Sequence, residues 1–291
     1  SQLTLKFNSN LEVSFMTDCD CKLPSYLNVI KVEDTFDAVS KAKELEIDLL
    51  VIRTVSDPNL YIYIDKMKQK VITWSHNRIW GDTANLIADC KYVVRNICVG
   101  ARQALELVDH KVYNKTEVIF NPVVIDSDIK RSLKTPTVTY VGHIDKSRGF
   151  HLLAKIWKDI LKEIPNAQLY VIGSALLYNR SMKTGSLGIA SEKYERKFLK
   201  YITDRNGKLL PSVHFLGIMG QEKTSIYKST FVGVINPTGY ETLGVSGLEM
   251  EACGVPLVTV NKYGQSEIVI NQHTGYLFNN VKEFRKYIIK L

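Results

Sequence analysis

The stretch TVTYVGHIDKSRGFHLLAKIWKDILKEIPNAQLYVIG, from Thr137 to Gly173, holds the pattern on which the fold turns. Thr137–Val141 is a short run of β-branched and aromatic residues closed by Gly142, which reads as a buried strand. Beyond it, Leu153, Ile156, Trp157, Ile160, Leu161 and Ile164 recur at i, i+3 and i+4, with Lys155, Lys158, Asp159, Lys162 and Glu163 between them. That spacing predicts an amphipathic helix of about four turns. Gln168–Ile172 is the next strand, ended by Gly173, and strand, helix and strand in this order predict a βαβ unit with parallel strands.

The alternation extends in both directions. Downstream, a long polar segment, Ser174–Ser191, precedes a helix at Glu192–Thr203. Strands at Val213–Leu216, Gly233–Asn236 and Pro256–Val260 follow, with helices near Glu222–Lys228 and Gly244–Cys253. Upstream, strands are expected at Leu11–Phe15, Leu27–Val32, Asp48–Val55, Val71–Ser75, Tyr92–Val99 and Glu117–Phe120, with helices at Asp34–Leu45 and Pro58–Lys68. Strands alternating with helices imply parallel sheets covered on both faces. The stretch Asn121-Pro122-Val123-Val124-Ile125-Asp126-Ser127-Asp128 breaks the pattern and reads as a linker. The expected architecture is α/β with two Rossmann-like domains, residues 1–130 and 131–291. For 291 residues, two domains also match the usual size of about 150 residues each.

Composition excludes several classes. With 45% hydrophobic and 23% charged residues the chain is an ordinary globular one, and no apolar run approaches a membrane span or a signal peptide. A cytoplasmic location is expected. Cys19, Cys21, Cys90, Cys98 and Cys253 are odd in number and scattered, which suits a reducing compartment. The net charge of +8 is dispersed. It fits a phosphorylated ligand, leaves open a peripheral contact with an anionic membrane surface, and does not demand nucleic acid. Neither G-x-G-x-x-G nor G-x-x-x-x-G-K-[ST] occurs, which disfavours a dehydrogenase or a P-loop enzyme. Asp18-Cys19-Asp20 and Asp126-Ser127-Asp128 match a D-x-D metal pattern but fall in a polar turn and in the linker, so no metal site is assigned.

All 17 glycines lie at or after Gly81, and 15 at or after Gly142. Backbone that approaches phosphate usually needs glycine, so a nucleotide is expected on the second half. Its densest signal is Asn236-Pro237-Thr238-Gly239-Tyr240-Glu241-Thr242-Leu243-Gly244-Val245-Ser246-Gly247-Leu248-Glu249-Met250-Glu251-Ala252-Cys253-Gly254-Val255-Pro256. A strand end, a glycine turn, a short helix and a Gly-x-Pro stop follow one another. The helix start would offer unpaired N–H groups and partial positive charge, which suits a diphosphate. Glu241 and Glu249 are carboxylates able to accept from paired sugar hydroxyls, whereas Glu251 reads as a solvated helix residue.

This set resembles the retaining glycosyltransferases of the two-domain GT-B type, in particular those of family 4. Their Glu-x7-Glu motif and Gly-x-Pro turn are matched by Glu241, Glu249 and Gly254-Val255-Pro256. The likeness continues through Tyr140-Val141-Gly142, Lys146-Ser147-Arg148-Gly149, Val171-Ile172-Gly173, His214-Phe215-Leu216-Gly217 and Gly264-Gln265-Ser266-Glu267-Ile268-Val269, in order from Thr137 to Phe278. The resemblance implies a GT-B fold, two Rossmann-like domains facing a cleft, here with a reduced, glycine-poor N-terminal domain and a short C-terminus, Asn279–Leu291.

It further implies that Glu241 contacts the donor sugar and Glu249 the ribose. Thr242, Leu243, Gly244 and Val245 would hold the distal phosphate, and Gly217 to Met219 would lie against the base. Arg148 would stabilise the diphosphate, with His143 standing where the family carries arginine. In the first half, His76, in Ile72-Thr73-Trp74-Ser75-His76-Asn77, stands at a strand end where the family often places a histidine toward donor or acceptor. The implied co-substrate is a UDP-, GDP- or ADP-sugar and the acceptor a glycan, lipid-linked or other hydroxyl, with no metal or further cofactor. A nucleotide-sugar epimerase of the same fold and a non-catalytic nucleotide-sugar-binding subunit are the alternatives.

Overall fold

A computed structural model describes residues 11–20, 23–125 and 130–291. The chain groups into two compact units, Ser1–Val99 with Ala104–Ile119, and Gly100–Gln103 with Phe120–Leu291. Asp126-Ser127-Asp128 and Cys21 lie outside the described residues. Cys90 and Cys98 are buried free thiols. No helix among the described residues is long and apolar enough to cross a membrane.

In the first unit, β1 (Ser14–Thr17) pairs in parallel with β2 (Asn28–Lys31). The chain continues through α1 (Thr35–Glu44), β3 (Leu50–Arg53), α2 (Pro58–Met67), β4 (Val71–Ser75), α3 (Gly81–Asp89), β5 (Val93–Cys98), α4 (Ala101–Leu105, of which Ala101–Gln103 group with the second unit) and β6 (Thr116–Val118). The last four strands form a parallel sheet in the order β3-β4-β5-β6. Local chemistry sets the helix starts. Asp34 caps α1 by accepting from the Asp37 N–H, and Asp57 caps α2, whose first residue is Pro58. Val39, Leu60, Ile64, Val71, Ile87 and Val93 meet in the core between sheet and helices. The half expected to be reduced therefore carries six described strands and an apolar core of its own.

The second unit is one six-stranded parallel sheet in the order β12-β11-β10-β7-β8-β9. Its elements in chain order are β7 (Thr137–Val141), α5 (Phe150–Glu163), β8 (Gln168–Ile172), α6 (Glu192–Ile202), β9 (Val213–Gly217), α7 (Lys223–Ser229), β10 (Val232–Ile235), α8 (Val245–Ala252), β11 (Leu257–Val260), α9 (Gln265–Ile268), β12 (Gly275–Phe278) and α10 (Val281–Lys290). Every residue of β7, β10 and β11 is buried, the continuous apolar pattern of strands covered on both faces. Trp157, Phe150, Phe198, Tyr140 and Phe284 fill the core, and the Trp157 indole N–H donates to Ser212 Oγ at 3.0 Å. The sequence pattern predicted β7 and β8 to the residue, but did not mark α3, α9 or α10.

The strand order contains a reversal. From β7 the chain winds outward through β8 and β9, then returns to place β10 on the other flank of β7 and winds away through β11 and β12. Such a topological switch point leaves a crevice at the carboxyl ends of the two flanking strands, here Val141 and Ile235, which stand in register.

Candidate functional site

Two loops leave the sheet at this switch point. The loop after β7 is organised from below by Tyr140, whose fully buried hydroxyl donates to the carbonyls of His143 (3.3 Å) and Arg148 (3.2 Å). Burial holds that phenol well above its ordinary pKa, so it remains a donor. Asp145 closes the loop from above by accepting from the Arg148 N–H at 2.9 Å and from Ser147 Oγ at 2.7 Å.

The loop after β10 begins at Asn236, a buried non-glycine residue at φ 32°. A left-handed backbone is uncommon outside glycine, and asparagine tolerates it best. Its side chain accepts from the Gly239 N–H at 2.8 Å and donates to the Tyr240 carbonyl at 3.2 Å. Fully buried Gln265, on α9, donates to the carbonyls of Asn236 and Gly239, both at 3.1 Å.

The two loops meet directly. Thr238 Oγ1 donates to the Ser147 carbonyl at 3.0 Å, and a Cβ on Gly239 would stand 2.0 Å from that same oxygen. Glycine at 239 is what allows the approach. Above this contact, Arg148 Nη1 and Glu241 Oε2 form an ion pair at 2.5 Å, both side chains partly exposed. Beside it, Asp145, Lys146, Ser147, Thr238 and Gly239 line an open depression of about 590 Å³. A second cavity, about 310 Å³, is lined by Thr184, Gly185, Ser186, Glu192, Glu195, Arg196 and Leu199, away from this crevice.

Glu241 is followed by buried Thr242, Leu243 and Gly244, and Gly244 adopts φ 86° to cap α8. Its carbonyl accepts from Gly247 (2.8 Å) and Leu248 (3.3 Å), so the amides of Val245 and Ser246 precede the helix's own ladder and form its positive end. One turn on, Glu249 Oε2 pairs with Lys223 Nζ at 2.7 Å. Lys223 had no signal in the sequence, since a lysine opening a short helix looks like any solvated cation. Glu251 departs from the solvated reading. Its Oε1 is buried with no hydrogen-bond partner among the described residues, and burial, opposed by a hydrogen bond with Thr274, pushes the carboxyl up to about 7.

His143 lies beside the crevice. Its Nδ1 is 3.1 Å from the Ser174 carbonyl, which can only accept, so Nδ1 carries the proton. Its Nε2 stands 3.7 Å from Asp145 Oδ2. Gly142, Gly173 and Gly217 close three consecutive strands. The Gly173 N–H donates to the Gly217 carbonyl at 2.7 Å, and a Cβ on Gly173 would stand 1.9 Å from the Gly142 oxygen. Gly217 thus ends β9, the outermost of the three, and half-buried Met219 follows it.

His76 belongs to the first unit. It is exposed just past β4, stacks on Trp74 with centroids 5.2 Å apart, and has its pKa lowered by partial burial and then by Arg53. Asp20, from the other D-x-D stretch, pairs with Lys31.

Known proteins resemble this chain in sequence and in fold. The chain is 24% identical over 284 residues to an uncharacterized glycosyltransferase of Haemophilus influenzae, covering 91% of this chain and 72% of that one. It is 28% identical over 140 residues to the capsular polysaccharide biosynthesis glycosyltransferase CapM of Staphylococcus aureus, covering 48% and 32%. The chain spans about a third of the length of CapM and of the Bacillus subtilis spore coat protein SA, another relative. Among solved structures, Anabaena Alr3699/HepE in complex with UDP-glucose superposes with a TM-score of 0.66 at 16% identity, over 91% of this chain and 75% of that one. TarM superposes with a TM-score of 0.68 at 15% identity, over 89% and 51%. These likenesses establish the α/β fold with parallel sheets that GT-B glycosyltransferases have. The family model described as glycosyl transferases group 1 matches residues 125–291, more than half of the chain and the whole of the sheet that carries the Arg148–Glu241 pair. By that match the chain belongs to the glycosyl transferases group 1 family.

Proposed function

We propose that the protein transfers a sugar from a UDP-, GDP- or ADP-sugar to a hydroxyl of a glycan or lipid-linked acceptor, with retention of anomeric configuration and without a metal. The observation that carries this reading is the Arg148–Glu241 pair at the switch point, 2.5 Å apart and open to the crevice. A guanidinium never loses its charge and binds phosphate oxygens bidentately. Arg148 and the amides of Val245 and Ser246 would together neutralise a diphosphate as it departs, the role a metal ion plays elsewhere. When the diphosphate takes the guanidinium, Glu241 is freed to accept from sugar hydroxyls. Glu249, held by Lys223, would meet the ribose, and Gly217 to Met219 the base. His143 and the first unit's His76 would serve the donor or the acceptor. The complex of HepE with UDP-glucose supports a nucleotide-sugar donor for a chain of this fold.

The test is nucleoside diphosphate release measured across UDP-, GDP- and ADP-sugars, with the product's anomeric configuration read by NMR. Release with one class of donor, undiminished by a chelator, and a product of retained configuration are expected. A product still attached to its nucleotide would instead make the enzyme an epimerase. Activity abolished by chelation and restored by Mn²⁺ or Mg²⁺ would overturn the metal-free reading.

A further inference from the structure

The segment between β8 and α6 has no counterpart among the motifs of the proposed site, yet it is built with care. Glu195, 1% exposed on α6, accepts from the backbone N–H groups of Leu187 (2.8 Å), Ile189 (3.0 Å) and Ala190 (3.1 Å). A carboxylate that satisfies three amides anchors the returning arm of the segment. The Ile189 carbonyl in turn accepts from the Ala175 N–H (2.7 Å) and from Ser174 Oγ (3.1 Å), which fastens the outgoing arm to the returning one. Ser174 Oγ also accepts from the Leu176 N–H at 3.1 Å and starts a 3₁₀ turn over Ala175–Leu177.

This anchored turn ends at Tyr178. Its ring is 77% exposed and lies 5.1 Å from the His143 imidazole, tilted by 49°. The same Ser174 whose side chain roots the turn fixes the imidazole through its carbonyl. Next to His143, Asp145 lines the 590 Å³ depression. A large aromatic ring held on a fastened turn but left uncovered adds nothing to the core. It is ready-made apolar area at little further entropic cost to a ligand.

We propose that Tyr178, backed by His143, is a specificity-determining residue that stacks on the apolar face of a sugar ring. The proposal rests on the nucleotide-sugar reading above. The ring belongs either to the donor or to the acceptor.

The full chain, Tyr178→Ala and Tyr178→Phe are compared by calorimetry with UDP, GDP and ADP and with UDP-glucose, UDP-N-acetylglucosamine, GDP-mannose and ADP-glucose. Transfer to methyl glycosides is measured alongside. Tyr178→Ala is expected to bind the bare nucleotide as the unaltered chain does. If the donor sugar stacks, the alanine variant binds the sugar nucleotide roughly two- to tenfold more weakly. If the acceptor stacks, the KM for the methyl glycoside rises by that factor instead. Either factor is the range of an aromatic contact, and Tyr178→Phe restores it. Equal behaviour of all three proteins, a phenylalanine variant as weak as alanine, or an equal loss of bare nucleotide binding overturns the proposal and leaves the donor reading standing. An unaltered chain that binds no nucleotide or nucleotide sugar overturns both.

Discussion

At the scale of single residues, charge placement separates the chemical groups from the structural ones. Arg148 reaches Glu241 from a loop rigidified by Tyr140 and Asp145, so its guanidinium is positioned before any ligand arrives. Replacing Arg148 by alanine is expected to lower kcat for nucleoside diphosphate release on the order of 100-fold, with lysine recovering only part, because an ammonium cannot grip two oxygens at once. Steady-state kinetics with the best donor of the screen checks this. Glu251 behaves oppositely. Its folded pKa of about 7 lies above the ordinary carboxylate value, so the folded state binds the proton more tightly than the unfolded one. The resulting stability is complete below the ordinary value and is lost as pH rises through about 7. Melting temperatures from pH 5 to 8 are expected to decline by a component that Glu251→Gln removes. Nothing in the spacing of Glu249 and Glu251 distinguishes a carboxylate paired with lysine from one whose charge burial disfavours. The difference comes from neighbours distant in the chain, Lys223 and Thr274.

At the scale of elements, the decisive contact is between the loops after β7 and β10. Alanine at Gly239 would drive a Cβ to 2.0 Å from the Ser147 carbonyl and 2.8 Å from Asn236 Oδ1. Gly239→Ala is expected to cost about 1–3 kcal/mol and to weaken nucleotide-sugar binding, since relieving the clash parts the loops. Gly207, at φ 75° with open space around it and outside the Ser174–Ser191 segment, is the control. Gly207→Ala costs about 1–2 kcal/mol from backbone strain alone and leaves donor binding intact. Denaturant titration and calorimetry separate the two effects. The elements themselves were legible where periodicity is strong: β7 and β8 coincide with their sequence patterns, while β1 begins three residues later than expected. Among the unmarked helices, α3 has a weak apolar signature, its buried face being Thr83, Ala84 and Ile87, whereas α10 is amphipathic, with Val281, Phe284 and Ile288 at i, i+3 and i+7 among five charged residues.

For the molecule as a whole, each unit carries its own apolar core, and the second is completed by its last helix. Phe284 and Phe278 stack with centroids 4.4 Å apart, Tyr287 and Tyr276 with centroids 4.6 Å apart, so α10 covers β12. The short segment Asn279–Leu291 therefore contributes Phe284 and Ile288 to the core. Phe284→Ala is expected to destabilise the second unit by about 3–5 kcal/mol, measurable by denaturant unfolding followed through tryptophan emission. By itself the sequence determined the alternation of strands and helices and the strand, glycine turn and helix that carry Glu241 and Glu249. Periodicity and glycine punctuation act over a few residues and survive in any context. Only the tertiary structure decided that β10 returns to the flank of β7, bringing Arg148 to Glu241 across 93 positions, gives Glu249 a lysine, and sets Tyr178 against His143. Strand order in a parallel sheet is set by which faces the crossover helices bury together, a property of the assembled core that no local window contains.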